Sequence, residues 1–218
     1  MRLIIGNKNY SSWSMRPWLL LDAHGIEFQE QMVSLATPRL RQQLLKYSDS
    51  ACVPVLQDGD VSVWDSLAIC EYISDQHLGG KGWPEDPADK ALARSVTAEM
   101  HSSFSALRNE MPMNCRARRY IELSDEAKKD VERIDQIWSK YARVDSLGEM
   151  RLFGQFTIAD CFFAPVIMRF LTYEPDVSVL ARSYMRSMKS HPSFQKWLTD
   201  ALQEEEIVEV DETGVERG

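Results

Sequence analysis

The 218-residue sequence predicts an α/β unit over residues 1–80 followed by an all-helical unit over 88–202. Three observations predict this. Short apolar runs of strand character (Leu3-Ile4-Ile5, Val53-Pro54-Val55-Leu56, Val61-Ser62-Val63-Trp64) fall in the first third of the chain. Apolar residues at helical spacing dominate from Leu92 onward. Between them, residues 79–89 form a Gly- and Pro-rich break, where the boundary is placed.

Leu3 to Gly6 is a short apolar run between polar residues and predicts a buried strand. Met15, Trp18, Leu19 and Ala23 then recur at helical spacing and stop at Gly25. Phe28 to Val33 predicts a second strand; strand, helix and strand in that order imply a parallel crossover. Asp58-Gly59 between two β-branched runs signals a hairpin. Ser66 is typed as the cap of the next helix, which carries Leu67, Cys70, Ile73 and His77. The order is therefore strand, helix, strand, helix or loop, hairpin, helix.

In the second unit, Leu92, Val96, Met100, Phe104 and Leu107 form one stripe, and Val131, Ile134, Ile137, Trp138 and Tyr141 another. Residues 158–171 are apolar almost all round, as suits a helix buried in a bundle. Phe194, Trp197, Leu198 and Leu202 mark a last helix.

The composition excludes several functions. The longest apolar stretch, Cys161 to Met168, is far short of the ~20 residues that span a bilayer, and no secretory leader is visible. Cys52, Cys70, Cys115 and Cys161 lack CxxC spacing. They read as reduced thiols in a cytoplasmic protein, with no metal site, and burial is the expectation for Cys52. The net charge is −8, of which residues 203–218 carry −6. A nearly neutral body gives no basic surface for nucleic acid. The acidic tail reads as a solvated, poorly ordered end.

Three local patterns could carry chemistry. Serines in Asn9-Tyr10-Ser11-Ser12-Trp13-Ser14-Met15-Arg16-Pro17 can cap a helix; equally, a hydroxyl there can hold an anion and favour ionisation of a bound thiol. Val53-Pro54 reads as an edge proline or as a turn that leaves the Val53 backbone free to dock a peptide. Asp65-Ser66 reads as a cap, or as a site where Ser66 and backbone amides take a carboxylate while Asp65 takes an ammonium.

Together, in this order and ahead of an all-helical half, these patterns resemble the glutathione transferase superfamily over almost the whole chain. Ser11-Ser12-Trp13-Ser14-Met15-Arg16 is similar to the Ser-Ser-Cys-x-x-Arg motif of the zeta class, with Trp13 in the cysteine position. Phe156-Thr157-Ile158-Ala159-Asp160 is similar to the superfamily's structural capping box. The resemblance implies an α/β thioredoxin-like N-terminal domain (βαβ-α-ββα) that binds glutathione as co-substrate, and an all-α C-terminal helical bundle.

Carried over by position, the resemblance makes Ser11 or Ser12 the hydroxyl that holds the sulfur, with Tyr10 behind them. Val53 pairs with the cysteinyl backbone, beside a cis Pro54. Asp65 and Ser66 take the γ-glutamyl end; Lys46 or Arg39 takes the glycyl carboxylate. Trp13, Met100, Phe104, Arg108 and Met111 are candidates for the site of a small-molecule electrophile of apolar character, with Glu99, His101 and Ser102 nearby. The resemblance also implies a homodimer. Trp13 argues against mixed-disulfide chemistry at that position and against maleylacetoacetate isomerisation, and Ala51-Cys52 replaces the Gly-Lys or Gly-Gln of many members. Three functions follow: a transferase, a glutathione-dependent isomerase, and a non-catalytic binding protein of the same fold.

Overall fold

A computed structural model describes residues 1–217. The first unit runs β1 (Arg2–Ile5), α1 (Ser12–Ala23), β2 (Gln29–Met32), α2 (Leu40–Leu44), β3 (Val55–Asp58), β4 (Val61–Trp64) and α3 (Ser66–His77). Its sheet has the order β2-β1-β3-β4, with β1 parallel to β2 and the other pairs antiparallel. This is a thioredoxin-like mixed sheet, as expected. Leu3, Ile4 and Ile5 are fully buried because both faces are covered: Leu3 and Ile5 join the main core with α1 and α3, while Ile4 packs with Val33, Leu44 and Val55 beneath α2. Gly59 takes the positive φ that the two-residue hairpin turn needs.

The second part runs α4 (Pro87–Ser102), α5 (Ser105–Glu110), β5 (Arg119–Tyr120), α6 (Asp125–Tyr141), β6 (Ala142–Val144), β7 (Met150–Leu152), α7 (Ile158–Tyr173), α8 (Val179–Ser190) and α9 (Pro192–Gln203). A 3-10 turn at Glu209–Asp211 and β8 (Val215–Glu216) follow. α7 is buried on nearly every side and packs on α1 and α4, so one apolar core runs through both parts. Its first turn is closed by the capping box: Thr157 Oγ1 accepts from Ala159 N, and Asp160 Oδ2 accepts from Thr157 N at 3.0 Å.

Three expectations are corrected. The Leu92–Leu107 stripe is not one helix. Phe104 sits in the left-handed region (φ +65) between α4 and α5, and Leu92 faces solvent. Asp65, not Ser66, caps α3: its Oδ1 accepts from Leu67 N at 2.8 Å.

The acidic end is docked rather than solvated, because its carboxylates meet fixed donors. Glu204 accepts from Lys8 N (2.7 Å) and Asn9 N (3.0 Å). Glu206 accepts from Asn7 Nδ2 (2.7 Å), and Glu212 from Tyr10 OH (2.6 Å) and Asn114 Nδ2 (2.8 Å). β8 adds to β5, pairing Val215 with Tyr120. Gly218, the last residue of the expected tail, lies outside the described residues.

Candidate functional site

A cavity of about 710 Å³ opens where the start of α1, the segment before β3 and the start of α3 face α5, α7 and the C-terminal segment. Ser11, Ser12, Trp13, Val53, Pro54, Asp65, Ser66 and Arg108 all line it. Residues separated in sequence by some fifty positions thus share one wall, as the motif order implied.

The two serines stand in different environments. Ser11 occupies the N-cap position of α1 but makes no capping bond. Its hydroxyl donates to Ser14 Oγ at 2.7 Å, and that oxygen also accepts from Gly6 N at 3.1 Å. Ser12 Oγ accepts from Arg169 Nη2 at 3.3 Å, and among the described residues its own proton has no protein acceptor. The Tyr10 proton goes to Glu212, and burial foremost pushes its phenol above the usual range.

The Val53-Pro54 bond is cis, and the ladder of β3 begins only at Val55, so the Val53 backbone lies beyond the paired strand. Asp65 is held at φ +72, a conformation that costs about 1–3 kcal/mol for a non-glycine residue. Its Oδ1 binds the α3 amides, and its Oδ2 lies 3.3 Å from His101 Nε2. Ser66 Oγ accepts from Arg16 Nη1 at 3.1 Å. Ala51, at φ +50, occupies a backbone conformation that glycine adopts without a Cβ penalty.

Arginines surround the Trp13 ring. The Arg16 guanidinium lies 4.2 Å from it and 4.4 Å from the Phe162 ring; Arg108 lies 5.0 Å from Trp13. Burial, reinforced by Arg108, pulls Arg169 down to about 10, so it is still a cation at neutral pH. Burial also depresses Arg16 strongly and Arg108 less, and lowers His101.

Several expected residues lie elsewhere, Arg39 and Ser102 among them. Lys46 is exposed outside the cavity lining. Met100, Phe104 and Met111 are core residues, because their apolar side chains close the packing under α4 and α5. Glu99 pairs with Arg133 at 2.7 Å, away from the cavity. Cys52 is exposed on the cavity rather than buried, because it lies in the unpaired segment before Val55, and its thiol donates to Ser50 O at 3.4 Å. Cys70, Cys115 and Cys161 are buried, which raises their pKa values, Cys115 to about 12.

Sequence reasoning missed Arg169 and Asp211, both on the lining. Arg169 carried a signal, as the lone cation in the apolar run of α7. Asp211 carried none within an acidic tail.

A thioredoxin-like unit joined to a helical one brings a hydroxyl pair, a cis proline and an Asp-Ser helix start around one cavity. Residues 10–76 match the family described as "Glutathione S-transferase, N-terminal domain". Glutathione S-transferase 1 of Dianthus caryophyllus is 29% identical over 178 residues, 74% of each chain. A probable maleylacetoacetate isomerase of Caenorhabditis elegans is 30% identical over 100 residues, 45% of this chain and 46% of that one. A glutathione transferase homologue from Burkholderia gl BGR1, crystallised with bound glutathione, shares the fold with a TM-score of 0.70 at 23% identity, covering 92% of this chain and 97% of that one. The family match thus covers the first unit, and the likeness to the solved glutathione transferase homologue is one of fold.

Proposed function

We propose that the chain is a glutathione transferase that holds the tripeptide along the Val53–Ser66 wall and presents its sulfur, as thiolate, to an electrophile. The observation that carries this reading is the shared wall itself. An unpaired stretch of backbone at Val53 lies between a hydroxyl pair at one helix start and an Asp-Ser pair at another. Strand-like pairing at Val53 suits the cysteinyl backbone. Ser66 and the first amides of α3 suit the γ-glutamyl carboxylate, with Arg16 behind Ser66, and Asp65 Oδ2, shared with His101, suits the ammonium. Lys46 is dropped as the glycyl partner, since it lies outside the lining.

A free thiol is only a few per cent ionised at pH 7. Ser12 raises that fraction by donating to the sulfur, while Arg169 occupies the Ser12 oxygen and adds positive field; the start of α1 acts in the same sense. With Ser11 turned to Ser14, Ser12 is the better placed hydroxyl. The sulfur forms a bond to the electrophilic carbon, and the leaving group departs with its electron pair. Mixed-disulfide chemistry is not part of the reading, because Trp13 stands where the zeta class has cysteine.

Calorimetry with glutathione and turnover of 1-chloro-2,4-dinitrobenzene test the proposal. Binding with turnover is expected. Binding without a thiolate absorbance near 240 nm would favour a non-catalytic relative, and no binding would remove every enzymatic reading. Free buried thiols suit a reducing compartment such as the cytosol. Self-association belongs to the same proposal: β4 is an edge strand with exposed Val61 and Trp64, and sedimentation at twice the chain mass is expected.

A further inference from the structure

We propose that the second substrate is an electrophile bearing a carboxylate, which Arg108 receives beside the partly exposed Trp13 ring. This rests on the reading that glutathione occupies the Val53–Ser66 wall, and it replaces the apolar substrate expected from sequence.

Three guanidiniums, those of Arg16, Arg108 and Arg169, gather around Trp13 and Ser12. Among the described residues, no carboxylate lies within 4.0 Å of any of them. Clustered buried cations repel one another, so the site is poised for anions.

Glutathione answers two of the three. Arg16 stands behind Ser66, where the γ-glutamyl carboxylate would sit. Arg169 stands behind Ser12, where the sulfur would ionise, and Asp211 shares its side of the lining. Held at Ser66 by one end and at Val53 by its middle, the tripeptide carries its glycyl end toward Leu40, Leu44 and Ser50, away from Trp13. Arg108 is left without an anion. Its Nε donates to Ser103 O at 3.0 Å and its Nη2 to Met100 O, which fixes the guanidinium on the cavity wall and, among the described residues, leaves Nη1 without a protein acceptor. The acid that acts on it, Asp130, is bonded to Leu107 N at 3.0 Å.

The surroundings narrow the ligand further. Trp13 offers a flat ring, and Pro112 and Met113 extend the apolar lining. Asp65, the lining acid on the Trp13 side, is taken up by the α3 amides through Oδ1 and, in the functional reading, by the glutathione ammonium through Oδ2. A planar apolar body with one carboxylate at its edge fits this combination: the ring packs on Trp13 and the charge meets Arg108.

The test is calorimetric titration of 3,5-dinitrobenzoate and of its methyl ester, neither of which carries a halide to displace. Both are titrated with and without saturating glutathione. The carboxylate is expected to bind at least tenfold more tightly than the ester, with the preference weakening as salt rises. Arg108→Gln is expected to bring the ratio near one, and Arg108→Lys to keep most of it. Because the ratio is internal to each variant, a general loosening of the site lowers both affinities and leaves it unchanged. A wild-type ratio at or below one overturns the proposal, even if the glutamine variant fails to fold; so does a ratio that survives Arg108→Gln. If glutathione does not bind, the functional reading fails on its own. A carboxylate preference that persists without glutathione would then leave the anion site standing, and its absence would remove both.

Discussion

Ser11 and Ser12 differ in what they already bond to, and that decides the first prediction. The Ser11 proton is engaged by Ser14 at 2.7 Å, whereas Ser12 accepts from Arg169 and keeps its proton for a ligand. A hydrogen bond to a charged group contributes about 1.5–3 kcal/mol, so Ser12→Ala should raise the pKa of bound glutathione by ~1–2 units and lower kcat/KM by one to two orders of magnitude near neutral pH. Ser11→Ala should cost only about two- to fivefold. Loss of the nearby cation disfavours the thiolate, so Arg169→Gln should shift the rate–pH profile to higher pH, while Arg169→Lys should restore part of it. Thiolate absorbance against pH checks all four variants, and an unshifted profile in Ser12→Ala returns the role to Ser11. The serines, Val53-Pro54 and Asp65-Ser66 were legible because each is a local pattern with a local physical meaning. Which serine is free was not, because Arg169 arrives from α7, more than 150 residues away in sequence.

At the scale of elements, α7 shows how much a local signal can carry. Its apolar run and its Thr157/Asp160 spacing predicted a buried, boxed helix, and the structure has both. The sequence did not reveal that Asp160 also bonds beyond its own helix, accepting from Leu152 N at 2.9 Å and Tyr184 OH at 3.0 Å. Asp160→Ala would leave those donors and Thr157 N without an acceptor, at about 1–3 kcal/mol each if nothing replaces it, and a loss of several kcal/mol in urea unfolding is expected. Burial holds the Asp160 carboxyl up at about 6 despite these donors. The unfolded value is near 3.9, so the folded state binds the proton more tightly. The stabilisation this brings is complete below about pH 4 and is lost as pH rises through about 6, with a slope of up to ~1.4 kcal/mol per unit between them. Asp160→Asn should remove that component of the slope. Unchanged pH dependence in the variant would place it on another group. By contrast, the α4–α5 break was illegible: Leu92 to Leu107 keeps helical spacing, and only the left-handed Phe104 shows that two helices share the stripe.

At the scale of the whole molecule, the C-terminal segment closes onto the loop that leads to the serine pair. Composition alone made it a solvated tail, since a run of acids has no local partner; its partners, Asn7, Lys8, Asn9, Tyr10, Asn114 and Arg119, lie about 90–200 residues away. Glu204 bears most directly on the candidate site because it takes two consecutive backbone amides, Lys8 N and Asn9 N, just before the serine pair. Nothing else in the loop can satisfy both at once, so Glu204→Ala should leave two partly buried donors unpaired and free residues 7–11 to move. The expected result is a lower melting temperature together with a higher KM for glutathione, since the hydroxyls no longer hold one position. Glu204→Gln keeps a single acceptor oxygen and should fall between the two. Hydrogen exchange at Lys8 and Asn9 gives the direct reading: faster exchange in Glu204→Ala with Val55 and Leu56 still protected would place the effect in the loop. Uniform loss of protection would make the clasp a contribution to global stability alone. An unchanged KM with faster exchange at Lys8 and Asn9 would mean that the serines are fixed by α1 itself, through Ser14 and Gly6, and that the acidic segment does not reach the chemistry.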